Sequence, residues 1–379
     1  MTEYRFATPQ DWLKVIDFID LVFSQSTRPH DFAALIPKVY GDGHEYSHIH
    51  AIALEDGEIR GCVAVLPFEM SVAGQTLRVG YLGSVSVHRL SRGAGHMKKL
   101  MQMQIDKAKA DGLDMIVLGG QRQRYGYFGF QPVGGAYSYM VTHANVRHAL
   151  GEVDASAITF EPLQQGESSE YACALYQQQP VCGSRTAENF AETALTFNMQ
   201  GWLVKHNGTN AGYLIATNDH KEMHELVMEE STLVPAVFKA WMAAHSVRYL
   251  QVRTAPHDKV LNRTLASFAE SYSLGQDGYV LCLNYVNTIR SWMTLKNSVS
   301  PLAEGVLRMG IDQENVEIRV ADGAVSVEPT DLPVQLRLSA VEVSQLLFGF
   351  NRFYAPEMNG AIPADWFPLP LNLPTADTF

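Results

Sequence analysis

The 379-residue sequence has few cysteines, and none of them form a pair at the spacing of a metal or redox motif. Cys62, Cys173, Cys182 and Cys282 are scattered with no CxxC pair, so we expect reduced thiols in a cytoplasmic protein, with neither a disulfide framework nor a zinc site. No apolar run reaches the roughly 18 residues that cross a bilayer. The start of the chain carries acids and no small-residue cleavage site, so neither membrane insertion nor a secretory signal is expected.

Basic residues are also comparatively scarce. The chain has 29 Lys and Arg residues against 40 Asp and Glu residues, which gives a formal net charge of −11. Non-specific nucleic-acid binding depends on a basic surface, so we do not expect it here. An acidic protein is compatible with a cationic acceptor substrate, although acidic surfaces often serve only solubility.

The first of three segments, residues 1–150, alternates between strand and helix patterns. The sequence predicts three antiparallel strands with turns at Asp56-Gly57 and Gly74-Gln75. A helix is predicted from about Gly95 to Asp111, with an apolar face. The short apolar run "LDMIVLGG" then predicts a strand that is buried on both faces.

The second segment, residues 151–286, repeats this strand and helix order. It contains a predicted hairpin at Asn207-Gly208, another strand, a helix and a further strand. No arginine-glycine turn opens its helix. We therefore interpret this segment as a non-catalytic relative of the first.

The third segment, residues 287–379, has a different character. It contains a predicted hairpin at Asp322-Gly323, an amphipathic strand, and a helix with a capping box formed by Ser339 and Glu342. The final stretch, "FPLPLNLPTADTF", holds four prolines and is predicted to be an extended tail.

The most informative stretch is the glycine-rich turn in "VSVHRLSRGAGHMKKLM", residues 85–101. A helix N-terminus leaves backbone N–H groups unpaired and carries about half a positive charge. With glycines at 93 and 95, the N–H groups of residues 93–97 could bind a pyrophosphate, and Arg92 could contact its oxygens. The spacing fits neither a Rossmann fingerprint nor a P-loop. On its own, however, the turn is equally compatible with a tight connection that binds nothing.

This turn resembles the signature of the GCN5-related N-acetyltransferases (GNATs), a strand followed by Arg/Gln-x-x-Gly-x-Gly/Ala at a helix start. Arg92, Gly95 and Met97 fall on the first, fourth and sixth positions, and Met97 replaces the usual small residue. The resemblance implies acetyl-CoA as the donor, with the pantetheine arm along the strand and the thioester carbonyl near Val87. The implied donor-binding residues are Ser86, Val87, Arg92, Gly93, Ala94, Gly95, His96 and Met97.

A second stretch, "VLGGQRQRYGYFGFQPVG" at residues 117–134, is similar to the end of the acetyltransferase core in larger GNAT members. Their Tyr-x-x-Phe-Gly-Phe/Tyr pattern is matched by Tyr125, Phe128, Gly129 and Phe130. Two motifs in the correct order and on the correct elements are more specific than either one alone.

The three-segment layout resembles the enhanced intracellular survival (Eis) acetyltransferases. This resemblance implies an α/β (α+β) protein with a central mixed sheet. It also implies a catalytic GNAT domain at 1–150, a degenerate GNAT-like domain at 151–286 and a sterol-carrier-protein-like domain at 287–379. A cytoplasmic homo-oligomer without a metal is expected.

Acetyl transfer to an amine needs a base for the amine and an acid for the departing thiolate. The fourth strand, "RVGYLGSVSV", offers no carboxylate, so the base comes from elsewhere or is water. The Eis resemblance implies that Tyr125 is the acid and that the C-terminal carboxylate of Phe379 is the base. The alternatives are a packing role for Tyr125 and a frayed terminus at Phe379.

Six other side chains near these motifs are weaker candidates. His96 is expected to face the ligand or to be exposed, and Glu69 could assist as a base or be a solvated turn acid. The remaining residues could line the acceptor pocket, reach phosphate or be ordinary core or surface positions: Lys98, Lys99, Gln121 and Tyr127.

The sequence therefore favours an acetyl-CoA-dependent N-acetyltransferase that acts on a primary amine of a small molecule or peptide. One alternative transfers a longer acyl group or acts on a protein lysine. Another is a non-catalytic protein whose first domain senses acetyl-CoA and whose terminal domain binds an apolar ligand. No pattern in the sequence identifies the acceptor, because acceptor pockets are built from loops.

Overall fold

The computed structural model describes residues 2–25, 28–350 and 363–379. Its first segment has the alternation of strands and helices that the sequence predicts. The strands are β1 (Thr2–Phe6), β2 (His50–Glu55), β3 (Glu58–Val72), β4 (Gln75–Val87), β5 (Met115–Leu118) and β6 (Gln131–Thr142). The helices are α1 (Trp12–Ser24), α2 (Phe32–Leu35), α3 (Pro37–Tyr40), α4 (His96–Ala110), α5 (Arg122–Tyr125) and α6 (His143–Ala149).

The turn between β3 and β4 lies at Ala73-Gly74, one residue before the predicted position. Both residues have a left-handed backbone conformation, with φ of 48° for Ala73 and 77° for Gly74. A two-residue hairpin turn of this kind requires positive φ at both positions. Ala73 accepts the less favourable conformation, which the sequence pattern did not indicate.

The second segment contains the predicted hairpin, strands and helix. Its strands are β7 (Ile158–Pro162), β8 (Val181–Gly183), β9 (Met199–His206), β10 (Thr209–Thr217), β11 (Glu222–Met228), β12 (Tyr249–Thr254) and β13 (Ser271–Cys282). Its helices are α7 (Glu167–Tyr176), α8 (Phe190–Thr193), α9 (Val234–Ala244) and α10 (Lys259–Ala266).

One large mixed sheet joins these two segments. The order of neighbouring strands is β1-β2-β3-β4-β5-β13-β6-β12-β11-β10-β9-β7. The short strand β8 is an additional neighbour of β3. β13, from the second segment, lies between β5 and β6 and is antiparallel to both. The sheet is therefore continuous across residue 150, and the proposed domain boundaries stay predictions.

Both faces of this sheet are covered around β5. Ile116 and Leu118 face a core that contains Leu100, Met101 and other residues of α4. Met115 and Val117 belong to the opposite core, because successive side chains of a strand alternate between its faces. The prediction of a strand buried on both sides is confirmed.

The third segment forms a separate small sheet. Its elements are α11 (Tyr285–Val299), β14 (Gly305–Ile311), β15 (Glu314–Ala321), β16 (Ala324–Pro329), β17 (Leu336–Leu338) and α12 (Ala340–Phe348). The strand order is β16-β15-β14-β17. Ser339 and Glu342 form the predicted capping box at the start of α12.

The described C-terminal residues, 363–379, run back from the third segment to the first. Leu371 accepts a hydrogen bond from the N–H of Gly135 at 3.0 Å, and the N–H of Leu373 donates to Asp277 at 2.8 Å. Apart from a 3₁₀ turn at Thr375–Asp377 the tail has no helix or strand, as predicted. Its last residue, Phe379, is only 6% exposed and belongs to the core around α1, so the terminus is not frayed.

Candidate active site

A cleft opens where β4 and β5 separate. The two strands pair in parallel only from Val79–Tyr81 against Met115–Val117. β5 ends at Leu118, whereas β4 continues to Val87, so within the described residues no strand pairs with the last part of β4 on that side. Ser84 has a left-handed φ of 52° at a register shift between β3 and β4. Such a bulge redirects the following side chains and is common beside active sites.

The cleft has a volume of about 1110 Å³ and is lined by the end of β4 and the start of α4. All the donor-binding residues expected from the GNAT resemblance line it, except Ala94. Further lining residues come from the end of α1, from β4, from the glycine turn and α4, and from the segment that contains Tyr125: Val22, Phe23, Gln25, Val85, Ser91, Lys98, Gln121, Arg124, Tyr127 and Phe128.

The glycine turn has the conformation that its sequence indicates. Gly93 and Gly95 have φ of 90° and 85°, and no heavy atom of the described part of the chain lies within 4 Å of the position of an added Cβ on either. Glycine is therefore needed for its backbone conformation and not because neighbouring atoms exclude a side chain. The N–H of Ala94 already donates to the carbonyl of Ser91 at 3.3 Å.

His96 is a buried structural residue, 2% exposed. Its Nδ1 lies 2.9 Å from the hydroxyl of Tyr4, and its Nε2 lies 3.1 Å from Glu55. Ser91 donates to the second oxygen of the same carboxylate at 3.0 Å and, together with His96, holds the pKa of Glu55 below its usual value. The expectation of an exposed or ligand-facing imidazole is wrong, because β1 and β2 provide partners for both ring nitrogens.

The cleft has a basic edge on an otherwise acidic protein. Arg92 and Lys98 are exposed at the turn and the start of α4, and the exposed Arg124 of α5 also lines the cleft. The ammonium of Lys98 lies 5.0 Å from the centre of the Tyr127 ring. Arg124 was not identified from the sequence, although its place next to Tyr125 is a usable signal. This arrangement suits a ligand that carries phosphate groups.

Tyr125, at the end of α5, packs against the chain that leaves β5. It is 7% exposed, and a Cβ added to Gly120 would lie 2.4 Å from its ring. Its ring also contacts Phe130 edge-on, with centroids 6.3 Å apart. Burial raises the pKa of the Tyr125 hydroxyl, and the charge of Arg124 opposes this shift. Tyr125 is consequently neutral at physiological pH.

The terminal carboxylate of Phe379 lies beside β4. A Cβ added to Gly83 would be 3.2 Å from the carbonyl oxygen of Phe379 and 2.8 Å from its ring. That ring stacks on Tyr40 at a centroid distance of 5.8 Å. The carboxylate therefore reaches the main chain immediately before the bulge at Ser84, although nearly 300 residues separate Phe379 from β4 in the sequence.

A series of hydrogen bonds between buried side chains stabilises the bulge, and the sequence did not indicate it. The hydroxyl of Tyr40 lies 2.7 Å from that of Ser84 and 2.9 Å from Nε2 of His50. The other nitrogen, Nδ1, lies 2.9 Å from the carbonyl oxygen of Tyr46. Desolvation lowers the pKa of His50 to about 4, so its imidazole is neutral at physiological pH.

Tyr81 interacts with the segments that lead to the two predicted catalytic residues. Burial raises its pKa to about 12, while hydrogen bonds to Thr378 and to the backbone of Gly119 oppose the shift. Thr378 precedes Phe379, and Gly119 precedes Gly120, which packs on the ring of Tyr125. Tyr81 therefore joins the chain just before Phe379 to the chain that leaves β5. Among the described residues that line the cleft, neither Tyr125 nor Phe379 is found, and the two belong to different cores.

The remaining candidates lie away from this opening. Glu69 is exposed, lies within β3 and is paired in register with Arg78. Lys99 is exposed on α4 and lines an adjoining groove. Among the described residues, no three His, Cys, Asp or Glu side chains are grouped so that they could hold a metal ion. No helix in that part of the chain is both long and apolar enough to cross a membrane.

The family comparison agrees with the geometry of the cleft. Residues 3–133 match the family model of the acetyltransferase (GNAT) domain, from β1 to the start of β6. The chain therefore contains a GNAT acetyltransferase domain over this span. No protein of curated function matches the sequence.

Solved structures extend the likeness beyond that span. A GCN5-related N-acetyltransferase from Anabaena variabilis is 16% identical with a TM-score of 0.71, and both chains are covered in full. Eis1 from Mycobacterium abscessus is 13% identical with a TM-score of 0.66, again with both chains covered in full. A GCN5-related N-acetyltransferase from Kribbella flavida is 15% identical with a TM-score of 0.65, over 91% of this chain and 88% of that chain.

Because the sequence identities are low, the similarity to these solved structures shows a shared fold and no more. The expected α/β class with a large mixed sheet and a GNAT-like fold is confirmed. The likeness of residues 287–379 to sterol carrier proteins stays a prediction.

Proposed function

We propose that this protein is an acetyl-CoA-dependent N-acetyltransferase that acetylates a primary amine of a small molecule or peptide. The observation that carries the proposal is the meeting of two features at β4. The Arg92 turn and its basic cleft follow the strand, and the terminal carboxylate of Phe379 lies beside Gly83 before the bulge. A GNAT acetyltransferase domain over residues 3–133 supports the donor assignment.

The donor would be held by the residues that line the cleft. The N–H groups at the start of α4 and the guanidinium of Arg92 suit its pyrophosphate. The main chain of Ser86 and Val87, at the end of β4, suits the pantetheine arm and the thioester carbonyl. Acetyl-CoA supplies the activated acyl group, and the acceptor provides the nucleophilic nitrogen.

Phe379 is the proposed base. A primary amine with a pKa near 10 is about 99.9% protonated at neutral pH, so it must lose a proton before it attacks. An α-carboxylate with a pKa near 3.5 is ionised throughout the working range. The Phe379 carboxylate can attract the ammonium group and accept its proton directly or through water. This assignment fits a strand β4 that carries no carboxylate of its own.

Tyr125 is the proposed acid. Its hydroxyl is neutral, since desolvation raises its pKa, and can donate a proton to the departing sulfur. A thiolate whose acid has a pKa near 8.5 is less basic than a phenolate, so the transfer requires the two atoms to be in contact. Packing of Tyr125 against Gly120 and Phe130 fixes the ring for this purpose.

An amine screen tests this function. The chain is mixed with acetyl-CoA and a panel of primary amines, diamines and short peptides, and free thiol release is followed. Amine-dependent release is expected for at least one acceptor. A protein that binds acetyl-CoA yet releases no thiol with any amine fits the alternative of a non-catalytic sensor instead.

Gly83→Ala is expected to lower turnover without weakening acetyl-CoA binding. The new Cβ would lie 2.8 Å from the ring of Phe379, so the terminal residue has to move. Displacement of a catalytic group by about 1 Å can cost about 10²-fold in rate. Steady-state kinetics should show the loss in kcat, with acetyl-CoA affinity unchanged in calorimetry.

Gly275→Ala is a matched control, because Gly275 is also a strand glycine and no heavy atom of the described residues lies within 4 Å of its added Cβ. It should have normal turnover. Normal turnover in Gly83→Ala as well would contradict a catalytic role for a carboxylate at that position.

The second segment is expected to bind no coenzyme. β11 and β12 pair in parallel over only two positions and then separate, as β4 and β5 do. However, α9 begins with a proline in its first turn and has no arginine-glycine turn before it. Equilibrium dialysis should give one acetyl-CoA per chain. Two equivalent sites per chain would show that the second segment also binds it.

A further inference from the structure

A buried ionic cluster joins the C-terminal tail to the second segment. Arg185 follows β8 and is 4% exposed. Its Nε donates to Oδ1 of Asp377 at 2.6 Å, and its two terminal nitrogens donate to the two oxygens of Glu225 at 2.8 and 2.9 Å. One guanidinium thus bonds a carboxylate of the tail and a carboxylate of β11 together.

Tyrosines complete the hydrogen bonding of both carboxylates. Tyr176 donates its hydroxyl to the second oxygen of Asp377 and accepts the N–H of Gly183 at 2.7 Å. Tyr213 donates to Glu225 at 2.6 Å. The guanidinium carbon of Arg185 also lies 3.8 Å from the centre of the Tyr176 ring. Every charged group of the cluster is therefore paired, as buried charges require.

The cluster is connected to the strand system that carries the active site. β8 pairs with Met70–Val72 of β3, the neighbour of β4. A Cβ added to Gly183 of β8 would lie 2.6 Å from Asp377, so the tail packs closely against this strand. From the other side, Lys38 of α3 donates to the carbonyl of Ala376 at 2.5 Å. These contacts fix the tail two and three residues before its end.

Buried ion pairs contribute little net stability, because desolvation of the charges offsets their attraction. They do fix geometry, since a planar guanidinium donates its hydrogen bonds to carboxylates in fixed directions close to its own plane. Asp377 is the last ionisable side chain before the carboxylate of Phe379. The cluster therefore lies close enough to the end of the chain to fix the position of the terminal carboxylate.

We propose that Arg185 and Asp377 are positioning residues that hold the terminal carboxylate of Phe379 beside β4 for proton transfer. The second segment, which has no arginine-glycine turn of its own, is then a required part of the active site. This inference rests on the proposed function of Phe379 as the base. It adds a role for two residues that are not among those lining the cleft in the described part of the chain.

The first test measures the anchoring of the tail and needs no acceptor. Asp377→Asn removes the charge from the tail but leaves Arg185 paired with Glu225, so the second segment keeps its own ion pair. Carboxypeptidase should release Phe379 slowly from the unaltered chain, because the residue is buried. Release from Asp377→Asn should be about tenfold faster, since a hydrogen bond to a charged group is lost.

A matched control separates this effect from the loss of any ion pair. Asp11 also accepts two bonds from an arginine, Arg5, at 2.6 and 3.0 Å, far from the tail in sequence. Asp11→Asn should leave Phe379 as protected as in the unaltered chain. Equal protection of Phe379 in Asp377→Asn would overturn the proposal at this step.

The second test is a double-mutant cycle on turnover, with acetyl-CoA and the amine that gives the fastest thiol release. Asp377→Asn should lower kcat by about tenfold to 10²-fold and leave acetyl-CoA affinity unchanged. The deficit should narrow as pH rises, because more of the amine is then already deprotonated. In a chain that lacks Phe379, the same substitution should have no further effect.

The outcomes distinguish this inference from the function on which it rests. If removal of Phe379 leaves turnover intact, the proposed base is wrong. If removal of Phe379 lowers turnover while Asp377→Asn does not, the base stands and the positioning role fails. Equal losses from Asp377→Asn with and without Phe379 also overturn the positioning role, because they show an effect that does not act through the terminal carboxylate.

Discussion

Removal of Phe379 is expected to lower kcat by about 10²-fold while leaving acetyl-CoA affinity nearly unchanged, as is typical for loss of an acid–base group. The deletion moves the terminal carboxylate away from Gly83, where its oxygen now lies 3.2 Å from the position of an added Cβ. Tyr125→Phe should have an effect of the same order, since it removes the proton donor but keeps the buried ring. Steady-state kinetics and calorimetry on each variant separate turnover from binding.

Terminal extensions provide the control for this pair of variants. A C-terminal tag replaces the Phe379 carboxylate by an amide and should reduce turnover as the deletion does. An N-terminal tag should be harmless, because β1 is the edge strand of the large sheet and its first residues are exposed. Full turnover by a C-terminally tagged chain on its best acceptor would remove the carboxylate from the mechanism.

Gly95→Val is expected to abolish acetyl-CoA binding while the chain still unfolds cooperatively. Gly95 is left-handed, with φ of 85°, and precedes the first residue of α4. A β-branched residue avoids this conformation. The turn must therefore change shape, and the N–H groups that face the cleft lose their common direction. Calorimetric titration with acetyl-CoA measures the effect.

Gly57→Val is the matched control for this substitution. Gly57 has φ of 80° in the turn between β2 and β3, and there too the described residues place no heavy atom within 4 Å of an added Cβ. Both variants should lose similar conformational stability, but Gly57→Val should bind acetyl-CoA normally. Unchanged affinity in Gly95→Val would mean that the donor binds elsewhere.

Local sequence patterns predicted the elements of the first segment well. The helix predicted from about Gly95 to Asp111 is α4, His96–Ala110, and its apolar residues Leu100, Met101, Ile105 and Ala108 are buried. The glycine turn was identified because positive φ before a helix leaves a local signature. These features depend on residues close together in the chain, which is why a single sequence was sufficient.

The features that were not predicted depend on contacts between distant residues. Arg185 and Asp377 are 192 positions apart, and Tyr40 and Ser84 belong to different elements. Nothing in either local sequence indicates the partner. The same reason explains the error at His96, whose partners Tyr4 and Glu55 lie on β1 and β2. Homo-oligomeric assembly and a cytoplasmic location stay predictions from sequence, and the sequence did not identify the amine.

The most direct measurement of the central claim is the fate of a labelled acetyl group. The unaltered chain is incubated with isotopically labelled acetyl-CoA and the amine that gives the fastest thiol release, and the products are analysed by mass spectrometry. If the protein is an N-acetyltransferase, the label will appear in an amide of the added amine, with one acetylated amine for each thiol released. Label that appears only as free acetate, or thiol release that does not depend on the amine, would contradict the account.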